Sequence, residues 1–174
     1  MSFRKTTFEN GEIYHIVLRS VEGIKIFRDV SDYFRIIFGL YEFNNKKPVS
    51  IWQRRRNKKQ QTNSLKMVQG QALHHFEREV LVEIFAFCIM PNHIHLLLRQ
   101  TKEGGITRFL QKLGTGYAMY FNKKYNRMGH LFQGSFRAVH IKDDEQLQTV
   151  FVYIHTNPVS LIVPKWKEKG IDNI

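Results

Sequence analysis

Acidic residues are scarce in this chain: fifteen Asp and Glu stand against twenty-seven Lys and Arg, a formal net charge of +12 over 174 residues. A field of that sign steers polyanions toward the surface, so nucleic acid is the expected partner. Cysteine is nearly absent as well. Cys88 stands alone, which excludes an internal disulfide and a cysteine-built zinc cluster, and its apolar strand-like surroundings read as core packing. No apolar run approaches about 18 residues, so no membrane span is expected, and the start Met1-Ser-Phe-Arg-Lys-Thr-Thr lacks the apolar segment of a secretion signal. No helix pairs a basic face with an aromatic apolar face, so a lipid surface is not the expected anionic partner. No glycine-rich loop of the kind that cradles phosphates is present, so chemistry driven by nucleotide hydrolysis is not expected. The expectation is a soluble cytoplasmic protein with a nucleic-acid partner.

What is present suffices for one domain over residues 1–174: 43% of residues are hydrophobic and 13% aromatic, enough for a full core. Ile13-Tyr-His-Ile-Val-Leu-Arg19 reads as a first strand. Ser31 or Asp32 is the expected cap of a helix whose apolar positions are Tyr33, Phe34, Ile37, Leu40 and Tyr41. Val82 to Met90 reads as a strand, Pro91-Asn92 as a turn and His93 to Arg99 as the returning strand of a hairpin. A long helix follows Gly104-Gly105, with Ile106, Phe109, Leu110, Leu113, Tyr117, Tyr120 and Phe121 on one stripe. Phe136 to Ile141 is a fourth strand, and Asp143-Asp144 offers caps for a last helix running to Asn157 before Pro158. The order β-α-β-β-α-β-α predicts an α+β sandwich of ferredoxin-like type, an antiparallel sheet with helices on one face.

Chemistry concentrates in Met90-Pro-Asn-His-Ile-His-Leu-Leu-Leu98. Strand side chains alternate faces at about 3.3 Å per residue, so His93 and His95 share a face roughly 6.6 Å apart at Cα and can converge on one cation. By itself such a pair on a strand is more often half-buried surface or a structural pair than a metal site. In the last helix Leu147, Val150, Phe151 and Ile154 form the expected core stripe, while Tyr153 and Asn157 stand to one side of it, one turn apart. That edge offers a phenol and an amide carbonyl able to ligate a hard cation, so a site of His93, His95 and Asn157 is expected if the helix packs beside the central strands. Tyr153 is the candidate nucleophile, with Tyr125 as its rival; Tyr14, Tyr33, Tyr41, Tyr117 and Tyr120 read as packing.

Residues 46–78 change character and read as a basic insertion within the domain. Arg54, Arg55, Arg56, Lys58 and Lys59 form either a solvated linker or an arm that contacts phosphates, with Trp52 beside them to stack on an unpaired base. Lys112, Lys123, Lys124, Arg127 and Arg137 complete the candidate DNA-contacting set.

Three segments resemble one known family in the order that family has them. Met90-Pro-Asn-His-Ile-His-Leu-Leu-Leu98 resembles the His-hydrophobic-His strand of single-tyrosine HUH transposases. Gly129-His-Leu-Phe-Gln-Gly-Ser-Phe-Arg137 resembles their loop and following strand, and Tyr153-Ile-His-Thr-Asn-Pro-Val159 resembles their tyrosine helix. The likeness is greatest to the REP-associated tyrosine transposases, a branch related to small insertion-sequence transposases. The resemblance implies that His93 and His95 bind metal, that Asn157 occupies the position of the further ligand, and that Tyr153 is the nucleophile. Relatives often carry Gln where this chain has Asn157, one methylene shorter, which leaves direct ligation and ligation through a water both open. Relatives also often continue past the tyrosine helix with an aromatic-rich segment, so part of the natural C-terminus is expected to be missing beyond Ile174.

A phenol titrates near about 10 and is a poor nucleophile at neutral pH until a cation and basic neighbours favour its anion. The resemblance implies a 5′-phosphotyrosine and a free 3′-OH as products, with the reverse step rejoining DNA. An amide ligand and a phosphoryl substrate suit Mg²⁺ or Mn²⁺ better than zinc, and the resemblance implies the same ions. The expected substrate is single-stranded DNA or the unpaired edge of a hairpin, and a homodimer is left open. Three alternatives stand beside this reading: a nuclease that activates water with its metal, a domesticated hairpin-binding regulator without cleavage, and an RNA-binding module of the same fold. The last lacks the Lys/Arg-Gly-Phe-Gly-Phe pattern expected on a central strand.

Overall fold

The computed structural model describes residues 7–48, 78–134 and 136–163. Four strands, β1 (Ile13–Arg19), β2 (Val82–Met90), β3 (His93–Gln100) and β4 (Arg137–Ile141), form one sheet in the order β2-β3-β1-β4, with every neighbouring pair antiparallel. Three helices accompany them: α1 (Val30–Glu42), α2 (Gly105–Lys124) and α3 (Asp144–Thr156). The element order and class match the ferredoxin-like α+β expectation. The only residues between β2 and β3 are Pro91 and Asn92, so the His-bearing strand leaves its hairpin turn directly.

Tyr14, Ile16 and Leu18 of β1 and Ile94, Leu96 and Leu98 of β3 point to one side, where they pack with Ile36 and Leu40 of α1 and with Ile106, Phe109, Leu110, Leu113, Tyr117 and Phe121 of α2. The α2 stripe therefore lies where its 3.6-residue period places it. Gly116 allows the α1–α2 approach, since a Cβ there would collide with the Phe43 ring. The stripe of α1 is rotated from the expected one. Ile36, Gly39 and Leu40 are buried, whereas Phe34 and Tyr41 are 67% and 60% exposed. Packing against α2 and the sheet selects this face; the helix begins at the Asp29 cap, not Ser31 or Asp32, its carboxylate accepting from the Asp32 backbone N–H while Asp32 returns the bond to the backbone N–H of Asp29.

The two crossover helices share one face, and α3 lies on the other. That second face presents Ala86, Cys88, Met90, Leu97 and Ile141, apolar surface that would otherwise meet water, and Ile154 of α3 is buried against it. Leu147, Val150 and Tyr153 pack around the same cluster. Phe151, expected in the stripe, is 43% exposed. The helix is turned so that Tyr153 rather than Phe151 meets the sheet. Asp143 caps α3 by accepting from the Gln146 N–H, and Pro158 enters a terminal 3-10 turn, Asn157–Leu161. Cys88 is buried opposite His95 in the β2–β3 register, and burial pushes its thiol pKa up, consistent with packing. No helix among the described residues is long and apolar enough to cross a membrane.

Candidate active site

His93 and His95 leave β3 on the face covered by α3, and their rings stand with centroids 4.9 Å apart at 74°. Tyr153 meets the second imidazole edge-on, with the His95 and Tyr153 centroids 5.5 Å apart at 83°. Two elements distant in sequence thus bring the expected nucleophile beside the expected metal ligands. His95 is 2% exposed, while His93 and Tyr153 are half-buried, so the group lies at the rim of the apolar contact between α3 and the sheet. Asn157 sits one turn beyond Tyr153, and its side-chain nitrogen is buried with no hydrogen-bond acceptor among the described residues.

β1 adds two residues that the sequence reading did not single out. Val17 pairs opposite His95 and Arg19 opposite His93, so His15, Val17 and Arg19 share the histidine face. His15 Nε2 lies 2.9 Å from His95 Nδ1, and the two rings are nearly parallel, 5.2 Å between centroids at 16°. The His15 ring also stands 6.1 Å from that of Tyr153. Arg19 is exposed and its charge is felt at His93: burial, and then this guanidinium, lower the His93 pKa. Burial likewise lowers that of His15. Both shifts favour neutral imidazoles, the form that can donate a lone pair to a cation. The signal for His15 and Arg19 was the alternation within β1; it becomes informative only when β1 is known to lie beside β3.

Asn92 orients the first of the two histidines. Its side-chain oxygen lies 2.7 Å from His93 Nδ1 while its side-chain nitrogen donates to the Gly23 carbonyl at 3.2 Å. The second bond fixes which end of the amide is oxygen, so His93 Nδ1 must be the donor and Nε2 keeps the lone pair. Among the described residues no three His, Cys, Asp or Glu side chains form a metal cluster. The donor set that fits a cation is therefore two imidazoles, with oxygen supplied by the Asn157 amide, water or substrate. Turning that amide to present oxygen breaks no hydrogen bond from its nitrogen among the described residues. This nitrogen and oxygen set suits a divalent ion with open positions.

Four of the other described tyrosines carry hydrogen bonds within the fold. Tyr125 donates to Asp32 at 2.7 Å, Tyr120 to Asp32 at 3.0 Å, Tyr117 to the Ile26 carbonyl at 2.6 Å, and Tyr14 accepts from the Glu9 N–H at 3.0 Å. The rival Tyr125 therefore belongs to a clasp between α1 and the end of α2.

The candidate DNA-contacting residues divide. Arg54, Arg55, Arg56, Lys58, Lys59 and Trp52 lie outside the described residues. Arg137 is exposed on β4, opposite Val17, on the histidine side of the sheet. Lys123 and Arg127 lie at the far end of α2, where Arg127 donates to the His130 carbonyl at 2.9 Å. Lys112 donates to the Asn45 and Lys47 carbonyls, and Lys124 is paired with Asp29 and Asp32 at 2.7 Å. These last two hold the chain's own backbone and carboxylates.

No curated protein matches the chain. Its fold is similar to that of a solved REP-associated tyrosine transposase bound to a REP hairpin, with a TM-score of 0.59, 13% identity, and coverage of 92% of this chain and 74% of that one. A candidate transposase of Deinococcus radiodurans R1 is 16% identical over 90% of this chain and 96% of that one, with a TM-score of 0.42. The pattern of the family described as IS200-like transposases matches residues 43–157, a segment that includes the His93-Ile-His95 strand and ends at Asn157. This chain belongs to the IS200-like transposase family.

Proposed function

We propose that the chain is a metal-dependent transposase that cleaves and rejoins single-stranded DNA through a covalent bond to Tyr153. The observation that carries this reading is the placement of the Tyr153 ring 5.5 Å from that of His95, itself 4.9 Å from that of His93. His93 and His95 would hold Mg²⁺ or Mn²⁺ through Nε2, with the Asn157 amide oxygen as a further donor, directly or through water. When bound, the ion would supply polarisation of the scissile phosphate and neutralisation of the charge that develops on it.

The phenol oxygen of Tyr153 forms a bond to phosphorus as the bond from phosphorus to the 3′-oxygen breaks. The phenolic proton passes to solvent, and the departing 3′-oxygen takes up a proton to leave as a hydroxyl. The products are a 5′-phosphotyrosine and a free 3′-OH. Because the new ester retains the phosphodiester linkage, attack by another 3′-OH reverses the step and joins strands without ATP. Arg19, whose charge is felt at His93, would offset the negative charge of a phosphate bound there.

Substrate choice follows from the same geometry. A nucleophile held against a sheet requires one accessible phosphate, which an unpaired strand or the open edge of a hairpin offers. The hairpin bound to the solved neighbour supports the second form. The test is incubation of the full chain with labelled single strands and hairpins from the DNA flanking its gene, with Mg²⁺, Mn²⁺ or EDTA. Cation-dependent nicking is expected. Binding without nicking in either cation would mark a hairpin-binding regulator, and undiminished nicking by Tyr153→Phe a nuclease that activates water.

A further inference from the structure

We propose that His15 is a positioning residue for His95, accepting at Nε2 the proton that His95 carries on Nδ1 and so leaving the His95 Nε2 lone pair available to the cation. The role rests on the metal reading above, and the hydrogen bond itself is measurable without metal.

The two nitrogens are 2.9 Å apart, within hydrogen-bond distance, and only one proton can lie between them. Either His95 Nδ1 donates to His15 or His15 Nε2 donates to His95. The neighbouring ligand decides between these. Asn92, fixed by its bond to Gly23, makes His93 donate from Nδ1 and keep its lone pair on Nε2. Two imidazoles two residues apart on one strand bind one cation most simply through the same ring nitrogen, which makes His95 the donor and His15 the acceptor.

The fold supplies this acceptor rigidly. β1 and β3 pair continuously from Ile13↔Arg99 to Arg19↔His93, which sets His15 opposite Leu97 and diagonal to His95 on the same face. An isolated histidine side chain prefers its proton on Nε2, the nitrogen the cation needs free. Without an acceptor at position 15, His95 would spend most of its time in that unproductive tautomer. Asn92 and His15 thus act alike, one from the turn and one from the next strand, each fixing the tautomer of one ligand.

The experiment is histidine-selective ¹⁵N labelling of the full chain, with ring ¹⁵N–¹H correlation at slightly alkaline pH to read which nitrogen of His95 carries the proton. Mn²⁺ binding is followed on the same samples by paramagnetic broadening and by calorimetry. The wild type is expected to show His95 protonated on Nδ1. His15→Phe should move that proton to Nε2 and weaken Mn²⁺ binding about 10–100-fold, whereas His15→Gln, whose carbonyl can replace Nε2 as acceptor, should keep both near wild type. His15→Leu serves if the Phe variant does not fold, and the wild-type spectrum is decisive by itself. A wild-type His95 protonated on Nε2, or a Phe variant with unchanged tautomer and affinity, would remove the role of His15 and leave the metal reading standing. Failure of Mn²⁺ to broaden His93 and His95 in the wild type would overturn the metal reading and this role together.

Discussion

Tyr153 of the last helix stands edge-on to His95 of the third strand, their ring centroids 5.5 Å apart at 83°. The contact exists because α3 packs on the sheet face opposite to α1 and α2, and Ile154, the next residue along the helix, is fully buried in that packing. Position of the Tyr153 ring and stability of the helix are therefore linked through adjacent residues.

Ile154→Ala is expected to destabilise the chain by about 2–4 kcal/mol, the usual cost of emptying a buried aliphatic site. The same cavity loosens α3 on the sheet, so strand cleavage should fall even at temperatures where the variant remains folded. Denaturant unfolding paired with a single-turnover nicking assay measures both effects.

His95→Gln removes an imidazole from the proposed donor pair while keeping a polar side chain of similar size. Mn²⁺ affinity is expected to fall by at least about 10-fold and cleavage by more than about 100-fold. Calorimetric titration with Mn²⁺ reads the first, and circular dichroism confirms that the fold is retained.

Arg19→Ala should lower the rate of cleavage about 10- to 100-fold, as loss of one cation beside a charged phosphate does, with a smaller effect on the affinity for uncleaved DNA. An equal loss in both would place Arg19 in general phosphate binding. Rates with enzyme in excess, compared with binding isotherms in Ca²⁺, separate the two.

Asp32 is fully buried and receives Lys124, Tyr120, Tyr125 and the Arg28 N–H. Burial alone would raise its pKa, but these donors more than offset it and the net shift is downward. Asp29 is held well below the ordinary range by Lys124 and Ser31. Both carboxylates therefore contribute stability that is complete above the free aspartate value of about 3.9 and is lost as pH falls through their lower folded values. Asp32→Asn should cost about 2–4 kcal/mol at neutral pH and flatten stability against pH below about pH 4. Urea unfolding between about pH 2 and pH 7, a range that spans the free aspartate value, tests it.

Much of this arrangement was legible in the chain because period and turn chemistry are local. The Pro91-Asn92 turn fixed the hairpin, alternation put His93 and His95 on one face, and the α2 stripe from Ile106 to Phe121 emerged with its buried members correct. What escaped depends on tertiary partners. The α1 face differs from the expected one because its several apolar residues offer more than one arc, and the contact with α2 and the sheet buries Ile36 and Leu40 rather than Phe34 and Tyr41. Phe151 took the place of Tyr153 in the expected α3 stripe because a helix presents several apolar arcs, and the sheet decides which is buried. Nothing local distinguishes His15 within its strand; its role depends on the sheet order that sets β1 beside β3.

The central claim is that Tyr153 forms a covalent bond to DNA. The most direct measurement is mass spectrometry of proteolytic peptides from a denaturation-resistant complex between the full chain and a labelled hairpin formed in Mn²⁺. A 5′-linked nucleotide on the peptide carrying Tyr153, absent with EDTA and absent in Tyr153→Phe, is the predicted result. Cleaved DNA with no adduct on any tyrosine, or an adduct that persists in Tyr153→Phe, would contradict it.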